Sequence, residues 1–122
     1  MNHDQLLGYC YAKAQVHNPG GRQRLWAVAV DKKGNIIAEQ GNSYTQTHPM
    51  QSMYAKAVGL GDHIFLHAEI SLIISLYKKH KKCYSVYIAR ARRNGTPGSA
   101  KPCVICEAAL KEAGIENVYW TE

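Results

Sequence analysis

Apolar positions recur along this 122-residue chain with changing periods, and each change marks a new element. From Asp4 to about His17, Leu6, Leu7, Cys10 and Ala14 fall on one side at helical spacing. Asp4 is the expected N-cap, and Asn18-Pro19-Gly20-Gly21 stops the helix. Arg24 to Val30 and Ile36 to Glu39 read as strands joined by the Asp31–Asn35 hairpin connection. Residues 42 to 64 carry no clear period. Asn42 to Pro49 is polar, and Gly59-Leu60-Gly61-Asp62 interrupts any helix over Gln51 to Ala57, so a long functional or mobile loop is expected.

The second half is more regular. His67 to His80 is apolar on most sides through Ile70, Leu72, Ile73, Ile74 and Leu76, the pattern of a helix packed on several faces. It leaves through Lys78-Lys79-His80-Lys81-Lys82, a basic end and a solvated one, suited to the negative pole of the helix dipole. Tyr84 to Ala89 reads as a central strand, apolar on both faces. A Gly/Pro-rich loop from Asn94 to Lys101 leads to a helix opened by Pro102 and stopped by Gly114, and Asn117 to Thr121 is the last strand. The order is helix, strand, strand, helix, strand, helix, strand. A hairpin followed by strand–helix–strand crossovers predicts the α/β class, a three-layer α-β-α sandwich with a mixed central sheet. The length suits a single domain over residues 1–122.

Composition removes several classes. Hydrophobic residues at 46% and charged residues at 20% exclude general disorder, and no apolar run reaches the 18 or so residues of a membrane helix. Met1 to Gln5 has no basic region leading into an apolar core, which argues against export and for the cytoplasm. The four cysteines then read as thiols or metal ligands rather than a disulfide framework. Fifteen Lys and Arg against nine Asp and Glu give a net charge of +6, which favours phosphate-bearing partners, although a solvated basic face accounts for it equally.

Two short motifs carry the chemistry. His67-Ala68-Glu69 stands at the start of the apolar helix, and Pro102-Cys103-Val104-Ile105-Cys106 at the start of the next. One imidazole and two thiolates make three ligands for a metal, with a fourth tetrahedral position left for water. A helix N-terminus also favours thiolate over thiol. Glu69 is too hard a donor and too near His67 to be the obvious fourth ligand, but it is placed to move protons. Singly, His-X-Glu occurs by chance, and Cys-X-X-Cys also fits a redox pair. A four-cysteine structural site would need Cys10 and Cys83, which are far apart and form no second Cys-X-X-Cys.

Together the motifs, opening successive helices with a strand between, resemble the cytidine and deoxycytidylate deaminase superfamily over roughly Arg24 to Thr121. The resemblance implies a cytidine deaminase-like fold, with Zn2+ held by His67, Cys103 and Cys106 and with Glu69 as the proton shuttle. It implies hydrolytic deamination of a cytosine-containing nucleoside or nucleotide, and the positive charge favours a deoxycytidylate-like form. It also implies that the backbone N–H of Ala68 faces the base carbonyl, and that Asn42 of Gly41-Asn42 bonds the sugar or base, a position where a turn Asn is the plain alternative. Arg90, Arg92 and Arg93 end the third strand beside the expected pocket, and Arg92 is taken as a phosphate contact against the alternative of simple solvation. Tyr44 and Trp120 could stack on a base, though core or interface positions suit them as well. Some deoxycytidylate deaminases carry a second zinc near the positions of His48 and His63; without a cysteine there, surface or substrate-facing histidines are expected. Many family members continue past the fourth strand, so a homo-oligomer is expected to complete the pocket. Alternatives are a deaminase of single-stranded DNA or RNA, a deaminase of adenine or guanine, and a non-catalytic zinc or nucleotide-binding module, against which Glu69 argues.

Overall fold

The computed structural model describes residues 1–62 and 65–122, so His63 lies outside the described residues. Helix α1 (His3–Val16) starts one residue earlier than its apolar stripe implies, because Asn2 and not Asp4 is the N-cap. Asn2 accepts from the Gln5 amide and the Gln5 side chain accepts from the Asn2 amide, a reciprocal capping box. Strands β1 (Arg24–Val30) and β2 (Ile36–Gly41) follow as an antiparallel hairpin. The Asp31 carboxylate accepts from the Lys33 and Asn35 amides, and Gly34 supplies the positive φ that the tight turn requires.

The stretch without a clear period holds a helix, α2 (Pro49–Ala57), with Pro49 at its start and His48 capping it by accepting from the Met50 amide. His48 is therefore a helix cap. Helix α3 (Ala68–Lys79) buries Ile70, Leu72, Ile73 and Leu76, each worth about 1.5–3 kcal/mol on transfer from water. It is followed by β3 (Ser85–Ala91), the two-residue β4 (Pro97–Gly98), α4 (Val104–Glu112) and β5 (Asn117–Trp120). Pro102 stands just outside α4, whose N-cap is Cys103.

The sheet is mixed. β1 lies between β2 and β3 and is antiparallel to both, which makes β2 and β3 co-directional. The far edge of β3 is shared end to end by β5, parallel through Ser85 to Ile88, and β4, antiparallel at Arg90 and Ala91. The parallel pair is the one joined through α4, as the crossover rule requires. Strand alternation splits the core. Val28, Val30, Tyr87 and Ala89 pack on one face with Leu6 and Cys10 of α1. Ala27, Ala29, Val86 and Ile88 pack on the other with α2, α3 and α4. The result is the expected three-layer sandwich, and among the described residues no helix is long and apolar enough to cross a membrane.

Candidate metal centre and substrate cavity

Two helices aim their N-termini at one point. His67 is the N-cap of α3 and Cys103 the N-cap of α4, both with extended backbone and neither making a side-chain cap hydrogen bond. Serine, threonine, aspartate or asparagine would normally satisfy the first-turn amides from such a position. Here the cap side chains turn away toward each other. His67 Nδ1 stands 3.2 Å from Cys106 Sγ and 3.5 Å from Cys103 Sγ, and all three donor atoms lie within 4.8 Å of one another.

These separations fit a tetrahedral zinc ion. Zn–S bonds of about 2.3 Å and a Zn–N bond of about 2.0 Å place S and N roughly 3.5 Å apart along a tetrahedral edge. One nitrogen and two sulfurs is also a donor set soft enough for zinc and unsuited to magnesium or calcium. The cofactor is Zn2+. Cys103 is already primed for it: the Cys106 thiol and the His67 imidazole both hydrogen-bond the Cys103 sulfur and bring its pKa down to about 3. Cys106, buried and donating to that sulfur, is pushed up correspondingly.

Glu69 follows in the first turn of α3 and is 4% exposed. Burial pushes its carboxyl up from the usual range. Ala68, between His67 and Glu69, sits at the head of α3, where first-turn amides have no intrahelical acceptor.

Above the centre opens a cavity of about 560 Å³. His67, Ala68, Glu69 and Cys103 form its floor; Leu25, Asn42, Tyr44 and Phe65 contribute walls; Arg90 and Lys101 bring positive charge. Asn42 is buried, with its carboxamide engaged: Oδ1 accepts from the Leu25 amide at 3.0 Å and Nδ2 donates to the Gln23 carbonyl at 2.9 Å. It thus ties the end of β2 to the start of β1. Gly41 before it is necessary because the His17 ring occupies the space a Cβ would fill, and His17 Nε2 lies 2.7 Å from the Asn42 carbonyl. Tyr44 is steadied by the Gln23 amide, which donates to its hydroxyl.

Two expected contacts fall elsewhere. Arg92 does not line this cavity; it lines a shallow adjoining basin, and Arg90 is the arginine shared by both. Trp120 lines a separate groove with Pro102 and donates from Nε1 to Glu122. One residue escaped the sequence reading altogether. Gln51, fully buried on α2, accepts from the His67 amide through Oε1 at 3.2 Å and so fixes the turn that presents the imidazole. Its signal in sequence is nil, because a lone glutamine in an irregular stretch looks solvated.

The family model for the cytidine and deoxycytidylate deaminase zinc-binding region matches residues 1–122. Among solved structures, cytidine deaminase from Mycobacterium tuberculosis is similar with a TM-score of 0.61 at 18% identity, covering 100% of this chain and 85% of that one. Cytidine deaminase from Mycobacterium leprae gives 0.58 at 23% identity, over 93% of this chain and 81% of that one. Cytidine deaminase from Burkholderia pseudomallei gives 0.61 at 16% identity, over 93% and 78%. At these identities the structural likeness is one of fold. No curated protein matches the sequence.

Proposed function

The chain belongs to the cytidine and deoxycytidylate deaminase family, and from that premise we propose that it hydrolyses the amino group of cytosine in a nucleoside or nucleotide, with a deoxycytidylate-like substrate favoured by the +6 net charge. The observation that carries the reading is the buried carboxyl of Glu69 beside a three-donor zinc centre at the floor of an accessible cavity. A purely structural zinc site has no use for a buried acid next to its ligands, because burying a carboxyl is unfavourable unless something offsets it.

In this reading His67, Cys103 and Cys106 would hold zinc, which would supply the Lewis acidity that makes a water nucleophilic near neutral pH. Glu69 takes a proton from that water as its oxygen attacks C4 of the base, and delivers it to ring N3. It then takes the remaining hydroxyl proton and passes it to the amino group, which leaves as ammonia and yields the uracil form. A carboxyl raised by burial suits this double duty, since it holds a proton more readily than a solvated carboxylate does. The Ala68 amide donates to the base carbonyl, and Asn42 offers the second hydrogen of Nδ2 to the sugar or base. Leu25 and Phe65 offer the ring apolar surface in the cavity lining.

The test is ammonia release by zinc-loaded protein on cytosine, cytidine, deoxycytidine, dCMP, adenosine and guanine, beside Glu69→Gln. Turnover of a cytosine compound, lost by about 10²–10⁴-fold in Glu69→Gln with one zinc per chain retained, is the expected result. Normal turnover by Glu69→Gln would refute the mechanism, and conversion of a purine alone would refute the substrate.

A further inference from the structure

A second cavity, of about 870 Å³, lies at the end of the sheet opposite the metal centre. β1 borders the catalytic cavity through Leu25 and leads to Asp31, which lines this one, so a strand length of roughly 20 Å separates them. The floor is the margin of the main core: Ile73 and Leu76 of α3, and Ile115 just past α4, are all buried. Tyr77 and Tyr84, both exposed, add aromatic surface.

Four lysines complete the lining. Lys32 and Lys33 come from the turn between β1 and β2, and Lys81 and Lys82 from the link between α3 and β3. The two segments are joined where the Tyr84 amide donates to the Val30 carbonyl at 2.8 Å. α3 ends at His80 in the left-handed region, φ 51°, and the Lys81 amide closes the helix on the Leu76 carbonyl at 3.3 Å. Residues with a Cβ seldom rest there. Here that turn stops the helix, so that Lys81 and Lys82 line the cavity instead of extending α3. Complementing the helix dipole would account for Lys81 and Lys82, but Lys32 and Lys33 belong to a hairpin. The one carboxylate in the lining, Asp31, is spent on its own turn, accepting from the Lys33 and Asn35 amides and from Asn35 Nδ2. The same bonds engage the two side chains of the lining best fitted to read a nucleobase edge.

We propose that this cavity binds a small organic acid, with an aliphatic or aromatic body seated on Ile73, Leu76 and Ile115 and a carboxylate or phosphate held by the lysines. An apolar floor with a few charged groups that orient the ligand, in a volume of about 300–1,000 Å³, is the usual form of a small-ligand site. Lysine stems extend the apolar cover while their ammonium groups stay in water for the anion. α3 and α4 begin at the metal donors, and both finish in this lining, at Tyr77 and Ala113. An occupant therefore rests against the ends of the same two helices whose beginnings carry the zinc site. The proposal does not depend on the deaminase reading.

The probe is anilinonaphthalene sulfonate, an aromatic body with one anionic group, titrated by fluorescence into the zinc-loaded protein. Phenylnaphthylamine, the same body without the sulfonate, is the control. Expected are saturation at one sulfonate probe per chain and binding of the neutral amine weaker by about tenfold or more. Lys81→Glu/Lys82→Glu, at exposed positions, should weaken the sulfonate by a similar factor and leave the amine unaffected. If that variant does not fold, Lys32→Glu/Lys33→Glu puts the same question from the hairpin side. Amide shifts in NMR spectra should place the probe at Tyr84, Gly114 and Ile115. Displacement by dodecanoate marks a carboxylate ligand and displacement by phenyl phosphate a phosphate, and either supports the site. Equal affinity for the two probes, no effect of charge reversal, displacement by neither acid, or shifts confined to Leu25, Ala68 and Ala100 of the catalytic cavity would overturn it. No step reads ammonia release, so failure here and failure of the deaminase reading stay separate.

Discussion

Each face of the sheet buries a cysteine completely, Cys10 beneath α1 and Cys106 beneath α4, and both have no exposed surface. Their surroundings make them different chemical objects. Cys10 donates to the carbonyls of Trp26 and Tyr87, and burial pushes its thiol up to about 12 against the opposing pull of a backbone hydrogen bond from Ala89. Cys106 sits in the first turn of a helix, 3.2 Å from an imidazole nitrogen. Burial alone thus makes an inert small hydrophobe. What makes a ligand is convergence, and convergence here comes from two helices whose first turns meet.

The largest contrast is between Cys106→Ala and Cys10→Ala. The first is expected to abolish zinc binding and turnover, and the second to leave one zinc per chain and full activity; metal analysis after dialysis decides. Retained zinc in Cys106→Ala would break the comparison at its centre. Alkylation separates the same regions without mutation. In zinc-free protein, iodoacetamide at pH 6 should label Cys103, the exposed thiolate, and spare Cys10 until the fold opens, as peptide mass mapping would show.

Gln51→Leu asks whether the metal side depends on support as well as ligands. Leaving the half-buried His67 amide without its acceptor should lower stability by about 1 kcal/mol and weaken zinc in a chelator competition. Loss of stability with unchanged zinc affinity would reduce Gln51 to a packing residue. The smallest effect belongs to the α1 face. Cys10 has a higher pKa folded than unfolded, so its contribution to stability is complete below the unfolded value of about 8.5 and declines as pH rises from there toward 12. Wild type should therefore lose more stability than Cys10→Ala between pH 8.5 and 11 in urea titrations.

The fold was largely legible because its periods were clean. β1 and β3 alternate strictly, and α3 is apolar on most sides, so the sandwich followed from the order of elements. Helix α2 was obscured by its own chemistry. Gln51, which it buries as completely as Ala55, is polar, and its partner is a backbone amide 16 residues away. The cap of α1 slipped by two residues because Asn2 and Asp4 are both good caps, and only the reciprocal bond with Gln5 chooses between them. The three metal donors were legible as a motif, and their distances agree with it. The arginines were harder to place. Arg90 lines the cavity and pairs with Gly98 of β4, while Arg92 falls just past the strand, and the two-residue β4 is too short to leave a pattern in the sequence.

A helix that gives its cap position to a metal ligand begins, in energetic terms, at the metal. With His67 and Cys103 both turned from capping toward the metal centre, the N-terminal ends of α3 and α4 would be tied to each other by an ion drawn from solution. Mass action then connects the melting temperature to free zinc: stability grows as RT ln(1 + [Zn]/Kd), about 1.4 kcal/mol for each tenfold rise above Kd. The same ion that would arm the site would set how firmly α3 and α4 are anchored, so scarcity of zinc would silence the protein and loosen it together.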